Sequence, residues 1–366
     1  MNKEAQDILN LIPEKAREAI MKESTTKIKS SVIKGYDFNN GVDYTKMFES
    51  YNACGIQATN LGLAIEQVNQ MIQWRSSNEP TSTSEETKYT GIDKEARCTI
   101  FLGYTSNMIS SGVREVIRYL CEHKMVDCIV TTGGGIEEDF MKCLADTYVG
   151  DFKLKGSELR DNGVNRIGNI LVPNDNYCNF EDWLIPILEK LYKEQANNKT
   201  IFSPSLIIDR LGKEINNPQS VYYWCHVNNI PVFCPALTDG SLGDMLFFFT
   251  YKYSGFVIDI FSDLKRINDI AVGSKKSGMI ILGGGIAKHH ISRANSLRHG
   301  ADYAVYINTG IEYDGSDAGA SIDEAISKGE IKPECKAVKI FAEASLVFPI
   351  IVAETFAKNE KLASKL

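Results

Sequence analysis

The chain has 366 residues, of which 43% are hydrophobic and 24% charged, an ordinary globular composition that excludes disordered and fibrous classes. Forty basic residues against 47 acidic leave a net charge of −7. That sign is wrong for a protein that tracks nucleic-acid phosphates and suits a cationic ligand. No apolar run reaches the roughly 18 residues of a membrane span, and Met1–Lys29 lacks a signal-peptide core. The nine cysteines are dispersed without a CxxC pair. The expectation is a cytoplasmic protein with reduced thiols, no metal site and no membrane or nucleic-acid partner.

Taken in chain order, residues 7–23 place Ile8, Leu9, Ile12, Ala16, Ala19 and Ile20 at helical spacing. They predict an amphipathic helix within an N-terminal arm, residues 1–30, ahead of a single domain over 31–366. A second helix fits Thr59–Trp74, with Leu61, Ala64, Ile65, Val68, Met71 and Ile72 on one stripe. Arg75–Arg97 is rich in Ser, Thr and Glu without apolar period and predicts an exposed loop. Short apolar runs then alternate with helical segments. Strands are predicted at Thr99–Gly103, Cys128–Thr132, Ile230–Cys234, Gly255–Ile260, Met279–Leu282, Tyr303–Ile307 and Val338–Phe341. Helices are predicted over Ser110–His123, from Gly135 through Leu144, and from Gly285 through Arg298. This alternation implies an α/β fold: a parallel sheet with helices on both faces. Ligands on such sheets bind beyond the C-terminal strand ends.

Two strands run into glycine triplets, Gly133-Gly134-Gly135 and Gly283-Gly284-Gly285. Glycine lets backbone N–H groups approach a pyrophosphate, and a helix N-terminus favours anions. Equally, small residues make tight strand-to-helix turns. The polar set Thr105-Ser106-Asn107 at a third strand end favours a nucleotide. Glu137, Glu138, Asp139, Asp239, Asp244, Asp314, Asp317 and Glu324 lie beside glycines or strand ends. They suit the protonated amines of a polyamine, or the helix N-termini that carboxylates ordinarily favour. His289, after a glycine turn, is a candidate base.

Several motifs carry a resemblance to one family. They are Gly35-Tyr36-Asp37-Phe38-Asn39, Phe101-Leu102-Gly103-Tyr104-Thr105-Ser106-Asn107, Arg166-Ile167-Gly168-Asn169 and Leu211-Gly212-Lys213-Glu214-Ile215-Asn216. Pro235-Ala236-Leu237-Thr238-Asp239-Gly240-Ser241, Gly283-Gly284-Gly285-Ile286-Ala287-Lys288-His289-His290 and Asp314-Gly315-Ser316-Asp317 extend it. Over about residues 32–356 the chain resembles deoxyhypusine synthase. The resemblance implies a Rossmann-like fold, a tetramer of two tight dimers, and NAD as cofactor. It also implies oxidation of spermidine and transfer of its aminobutyl group, through an enzyme lysine, to a lysine of the precursor of translation factor five A. By the same resemblance NAD is held by Ser106, Asn107, Met108, Ile109, Ser110, Thr132, Gly133, Gly134, Glu138, Asp239, Gly284, Thr309, Gly310, Glu343 and Ala344. The polyamine is held by Glu137, Glu138, Asp244, His289, Gly315, Ser316, Asp317 and Glu324.

The sequence departs from the family where the chemistry is centred. The family's Ser-Trp-Gly-Lys-Ile reads Ser327-Lys328-Gly329-Glu330-Ile331 here. Glu330 stands at the nucleophile, and a carboxylate cannot form an imine. Lys328 replaces a ring whose face would attract a cation. Arg293 replaces an asparagine, Ala318 a serine, Gly133 an alanine and Glu343 an aspartate. Lys328 lies two residues from the lost nucleophile, roughly 6–7 Å along an extended chain and on the same face. In this family each site takes residues from two chains. The group around Ser106, Glu137 and Asp239 is intact, while the group around His289 and Glu330 is altered. The expectation is a subunit that completes the active site of a lysine-bearing paralogue in a hetero-oligomer. The alternatives are a self-sufficient enzyme using Lys328 or another lysine, and an NAD or polyamine sensor without a synthase partner.

Overall fold

Nine short strands and the helices between them organise the chain in a computed structural model that describes residues 12–20, 24–74 and 96–363. The strands are β1 (Thr99–Tyr104), β2 (Cys128–Val130), β3 (Tyr148–Val149), β4 (Val164–Ile167), β5 (Ile170–Pro173), β6 (Val232–Phe233), β7 (Ser277–Leu282), β8 (Tyr303–Asn308) and β9 (Val338–Phe341). Six of them form one parallel sheet in the order β6-β2-β1-β7-β8-β9. Counted within that sheet, the order is 3-2-1-4-5-6, the doubly wound dinucleotide-binding arrangement. Leu102 pairs with Ile129 on one side and Ile280 on the other, and Val305 joins Ile280 to Val338.

Alternation along each strand divides the core in two. Ile100, Leu102, Tyr104, Ile280 and Leu282 face one cluster. Helices Ile56–Gln73, Val113–Glu122, Gly133–Leu144 and Ala344–Glu354 close over it. Phe101, Met279, Ile281 and Tyr306 face the other, beneath helices Ile260–Gly273, Gly285–Ser296 and Ile322–Ser327. Each fully buried large apolar side chain contributes roughly 1.5–3 kcal/mol. Helix Ile56–Gln73 shows the pattern plainly: Leu61, Ala64, Val68 and Met71 are buried at helical spacing. It starts one turn earlier than the predicted Thr59.

Several expectations need correcting. The Gly255–Ile260 run forms no strand of the sheet. Only Ile258 bridges, to Phe202, and Asp259 caps helix Ile260–Gly273 by accepting from the Phe261 and Ser262 amides at 2.9 and 3.2 Å. The predicted Ser110–His123 helix is two helices, Asn107–Ser110 and Val113–Glu122, broken where Ser111 turns extended. Gly133-Gly134-Gly135 is no turn but the first turn of helix Gly133–Leu144. A three-stranded antiparallel sheet, β3-β5-β4, went unpredicted. Glu14–Ile20 is helical and residues 12 and 13 ahead of it are not; residues 7–11 and 21–23 of the predicted helix and 75–95 of the predicted loop lie outside the described residues.

Arg114 on Val113–Glu122 donates from Nε to Asp139 at 2.7 Å, and both are buried. Asp139 also accepts from the Val221 amide at 3.1 Å and the Ser220 hydroxyl at 2.5 Å. One carboxylate thereby ties three helices together. Among the described residues no helix is long and apolar enough to cross a membrane, and no cluster of His, Cys, Asp and Glu could hold a metal.

Candidate active site

The chain reverses strand order between β1 and β7, so the loops leaving their C-terminal ends diverge to opposite faces and open a crevice. Thr105, after β1, meets Gly283, after β7: a Cβ on Gly283 would lie 2.8 Å from Thr105 Oγ1. Gly283 has φ +93°, a backbone that glycine adopts without strain.

On one side stand the loops after β1, β2 and β6. The Ser106 amide donates to Thr132 Oγ1 at 3.1 Å. A Cβ on Gly134 would come within 2.9 Å of Ser106, and one on Gly133 within 2.4 Å of the Asp239 carbonyl. These glycines therefore let three loops touch. Thr132 brings no side-chain cap to helix Gly133–Leu144; the Gly135 amide is taken by the Thr132 carbonyl at 3.0 Å, which leaves the Gly133 and Gly134 amides for an anion. Met108 and Ile109 turn their side chains into the core, leaving only their backbone for a ligand. Lys142 supports this side from below. Its ammonium donates to the Ile109, Ser110 and Ser111 carbonyls at 2.8, 2.6 and 3.1 Å, which ends helix Asn107–Ser110.

The two glutamates of this side differ. Glu137 is buried and accepts from the Leu242 amide at 2.6 Å, closing the N-terminus of helix Ser241–Thr250. Asp239 and Asp244 are exposed beside it. Burial pushes the Glu138 carboxyl up to about 7, against a Ser110 hydrogen bond and with help from Glu137. Because the folded value lies above the ordinary 4.5, the folded chain holds the proton more tightly. This group's contribution is fully present below about pH 4.5 and is lost as pH rises through 7, on the order of 3 kcal/mol in all. Glu138→Gln is expected to flatten that slope, which urea melts at pH 5 and pH 8 will read.

On the other side stand the loops after β7, β8 and β9. Residues 310–320 fold back over the glycine turn: a Cβ on Gly284 would lie 2.3 Å from Ala318 Cβ, so the Ala318 methyl covers that approach. Lys339 holds the loop by donating to the Gly310 and Gly319 carbonyls at 3.1 and 2.7 Å. Thr309, Asp314, Gly315 and Ser316 are exposed, and Asp314 accepts from the Ser316 amide at 2.8 Å. Glu343 is spent as a cap, accepting from the Ser345 amide at 3.1 Å ahead of buried Ala344.

From the crevice the chain descends along the sheet face to Glu330, whose carbonyl accepts from Ala301, before β8 begins. Helix Ile322–Ser327 ends in a left-handed turn at Gly329 (φ +68°). The Gly329 amide bonds Ile326 and the Glu330 amide bonds Ala325, both at 2.9 Å, a Schellman closure. That closure separates two residues the extended-chain expectation placed on one face. The Lys328 side chain is 43% exposed and lies back on Glu324 at 2.5 Å. Glu330 is 2% exposed, with Oε1 lacking a partner among the described atoms. Burial and Asp317 push its carboxyl up, opposed by Lys288, Lys328 and His289.

Lys288 is a residue that sequence reasoning passed over. It is 2% exposed, donates to the Asp317 carbonyl, and lies 3.9 Å from Asp317 Oδ2 and 5.2 Å from the Tyr306 ring centre. Burial pushes its ammonium down, against Asp317 and Glu330. His289 and Arg293, one helical turn apart, are both exposed on the same helix. His289, Asp317, Glu324, Lys328 and Glu330 are thus gathered around Lys288. Glu137 lies apart from them, in the other half.

Comparison with known proteins agrees with this geometry. The family model for deoxyhypusine synthase matches residues 46–355. A deoxyhypusine synthase of Senecio vernalis is 55% identical over 358 residues, covering 96% of each chain. A homospermidine synthase of Senecio vulgaris is 52% identical over 372 residues, covering all of this chain and 98% of the relative. A crystal structure assigned as a deoxyhypusine synthase from Entamoeba histolytica superimposes with a TM-score of 0.64 at 37% identity, over 89% of this chain and 97% of that one.

Proposed function

Because the chain belongs to the deoxyhypusine synthase family, we propose that it is the partner subunit of a lysine-bearing paralogue and lends it one half of an active site. The family is NAD-dependent and acts with spermidine on the precursor of translation factor five A. The observation that carries the proposal is Glu330. At the nucleophile position stands a buried carboxylate, while the opposite half keeps its loops, its uncapped helix and its glutamates.

The residues of the crevice fit NAD. The Gly133 and Gly134 amides at the start of helix Gly133–Leu144 are placed to take a pyrophosphate, and Ser106 and Asn107 stand at the switch point. When bound, NAD supplies the acceptor for a hydride from the polyamine. This chain's part is to hold the cofactor and offer Glu138, poised near neutrality, to a substrate amine or its proton. The covalent step falls to the paralogue's lysine.

Self-sufficiency through Lys328 fits poorly. A nucleophilic amine must lose its proton, whereas Glu324 pushes the Lys328 ammonium up. An assembly also suits the surface. Phe247 and Phe248 of helix Ser241–Thr250, Tyr251 just after it, and Ile260, Phe261 and Leu264 of helix Ile260–Gly273 are exposed, large apolar side chains of the kind that interfaces cover.

The test is synthase activity with NAD, spermidine and the factor precursor, read as aminobutyl mass added to the precursor, with a small diamine as a second acceptor. The expected result is no addition by this chain alone. The mixture with the paralogue should exceed the paralogue's own rate by ~100-fold or more, a modest share of what a complete site contributes. Full activity of the chain alone, or no gain in the mixture, overturns the proposal.

A further inference from the structure

The carboxylates that would take a polyamine's ammonium groups in the altered half are already engaged. Glu324 holds the Lys328 ammonium at 2.5 Å. Asp317 lies against Lys288, which donates to its carbonyl and sits 3.9 Å from its Oδ2. We propose that the Lys328 ammonium stands in for one ammonium of the polyamine at Glu324, and that Lys328 is the residue that excludes it. The inference rests on reading residues 288–330 as the polyamine half of a synthase site.

The local fold enforces the arrangement. Ser321 caps helix Ile322–Ser327 through the Glu324 amide, and Glu324 and Lys328 then fall one turn apart on the same face. The left-handed turn at Gly329 sends the chain inward immediately afterwards. Lys328 is left at the surface, its side chain 43% exposed, while Lys288 is only 2% exposed. Glu324 answers to both, since Lys328 and Lys288 each favour its charged form. An incoming amine meets an ammonium at the surface before it meets a free carboxylate. An isolated helical ion pair adds little stability, but exclusion does not need a strong pair. It needs a like charge held within a few ångströms of where the ligand's charge would sit. The intact sequence of Asp317 and Glu324 thus coexists with a pocket unable to use them. Productive sites would be those in which this chain contributes its Ser106–Asp239 half alone.

The test is equilibrium dialysis of labelled spermidine against the full-length chain, as purified and saturated with NAD, beside Lys328→Met and Lys328→Gln. Methionine keeps the apolar stem and removes the charge. The parent should show no saturable binding. Both variants should gain it, with affinity raised roughly tenfold or more, and Glu324→Gln added to Lys328→Met should abolish the gain. Parent binding as tight as that of the variants overturns the proposal. So does the absence of any gain in variants with the parent's thermal midpoint and NAD binding. No paralogue enters this assay, and because a site takes residues from two chains the parent and variants are compared only as material of the same self-paired state by light scattering; failure to assemble with the paralogue is read separately, in the activity mixture.

Discussion

Glu330→Lys combined with Lys328→Trp is expected to give a chain that forms a covalent adduct with the aminobutyl group of spermidine where the parent forms none. The position is 2% exposed and faces Lys288. Burial and a neighbouring cation both lower an amine's pKa, which is the condition for attack. The tryptophan removes the Lys328 charge and restores a face that attracts cations. Loss of a nucleophile has cost on the order of 10⁶ in turnover in a well-measured enzyme, so even partial recovery should raise product by ~100-fold over the parent. Borohydride trapping followed by intact mass reads the adduct directly. A folded, NAD-binding double variant without adduct would show that more than the two side chains has been lost. Ala318, packed on Gly284, and Arg293 would then be the next positions to restore.

Asp139→Ala should be the most destabilising single change in the core. It leaves Arg114 buried without its carboxylate partner and strands the Ser220 hydroxyl and Val221 amide. Breaking a buried pair from one side costs about 3–5 kcal/mol, a large fraction of a typical 5–15 kcal/mol. Urea unfolding at neutral pH should show a lower midpoint at unchanged slope. Arg114→Met with Asp139→Leu should cost less than Asp139→Ala, because no charge is then left uncompensated. Additive losses would deny the pairing.

What the sequence made legible was whatever rests on local pattern. β1, β7 and β8 are largely apolar runs and β9 alternates around Lys339, and the predicted bounds of each fall within two residues of the observed ones. Gly255–Ile260 looked the same locally and is no strand, because a strand needs a neighbour and Asp259 instead opens a helix. The small antiparallel sheet was missed since β3 has two residues, both exposed. The site divides likewise. Motifs named the loops, but not that Glu137 is consumed in closing a helix or that Met108 and Ile109 face inward. Lys328 and Glu330 are two apart, and only the left-handed Gly329 separates their environments. Lys288 carried no signal, because a lysine beside two histidines does not announce burial.

Lys142 and Lys339 fasten the two loop systems of the crevice to their own scaffold through backbone carbonyls. A loop so fastened has little conformational entropy left to surrender when a dinucleotide arrives. Affinity for the cofactor is therefore decoupled from the chemistry done with it. A chain built this way can lose its reacting side chain without its loops losing their shape. On the reading proposed above, such a chain would remain a competent holder without being a catalyst, and could be kept for its shape alone.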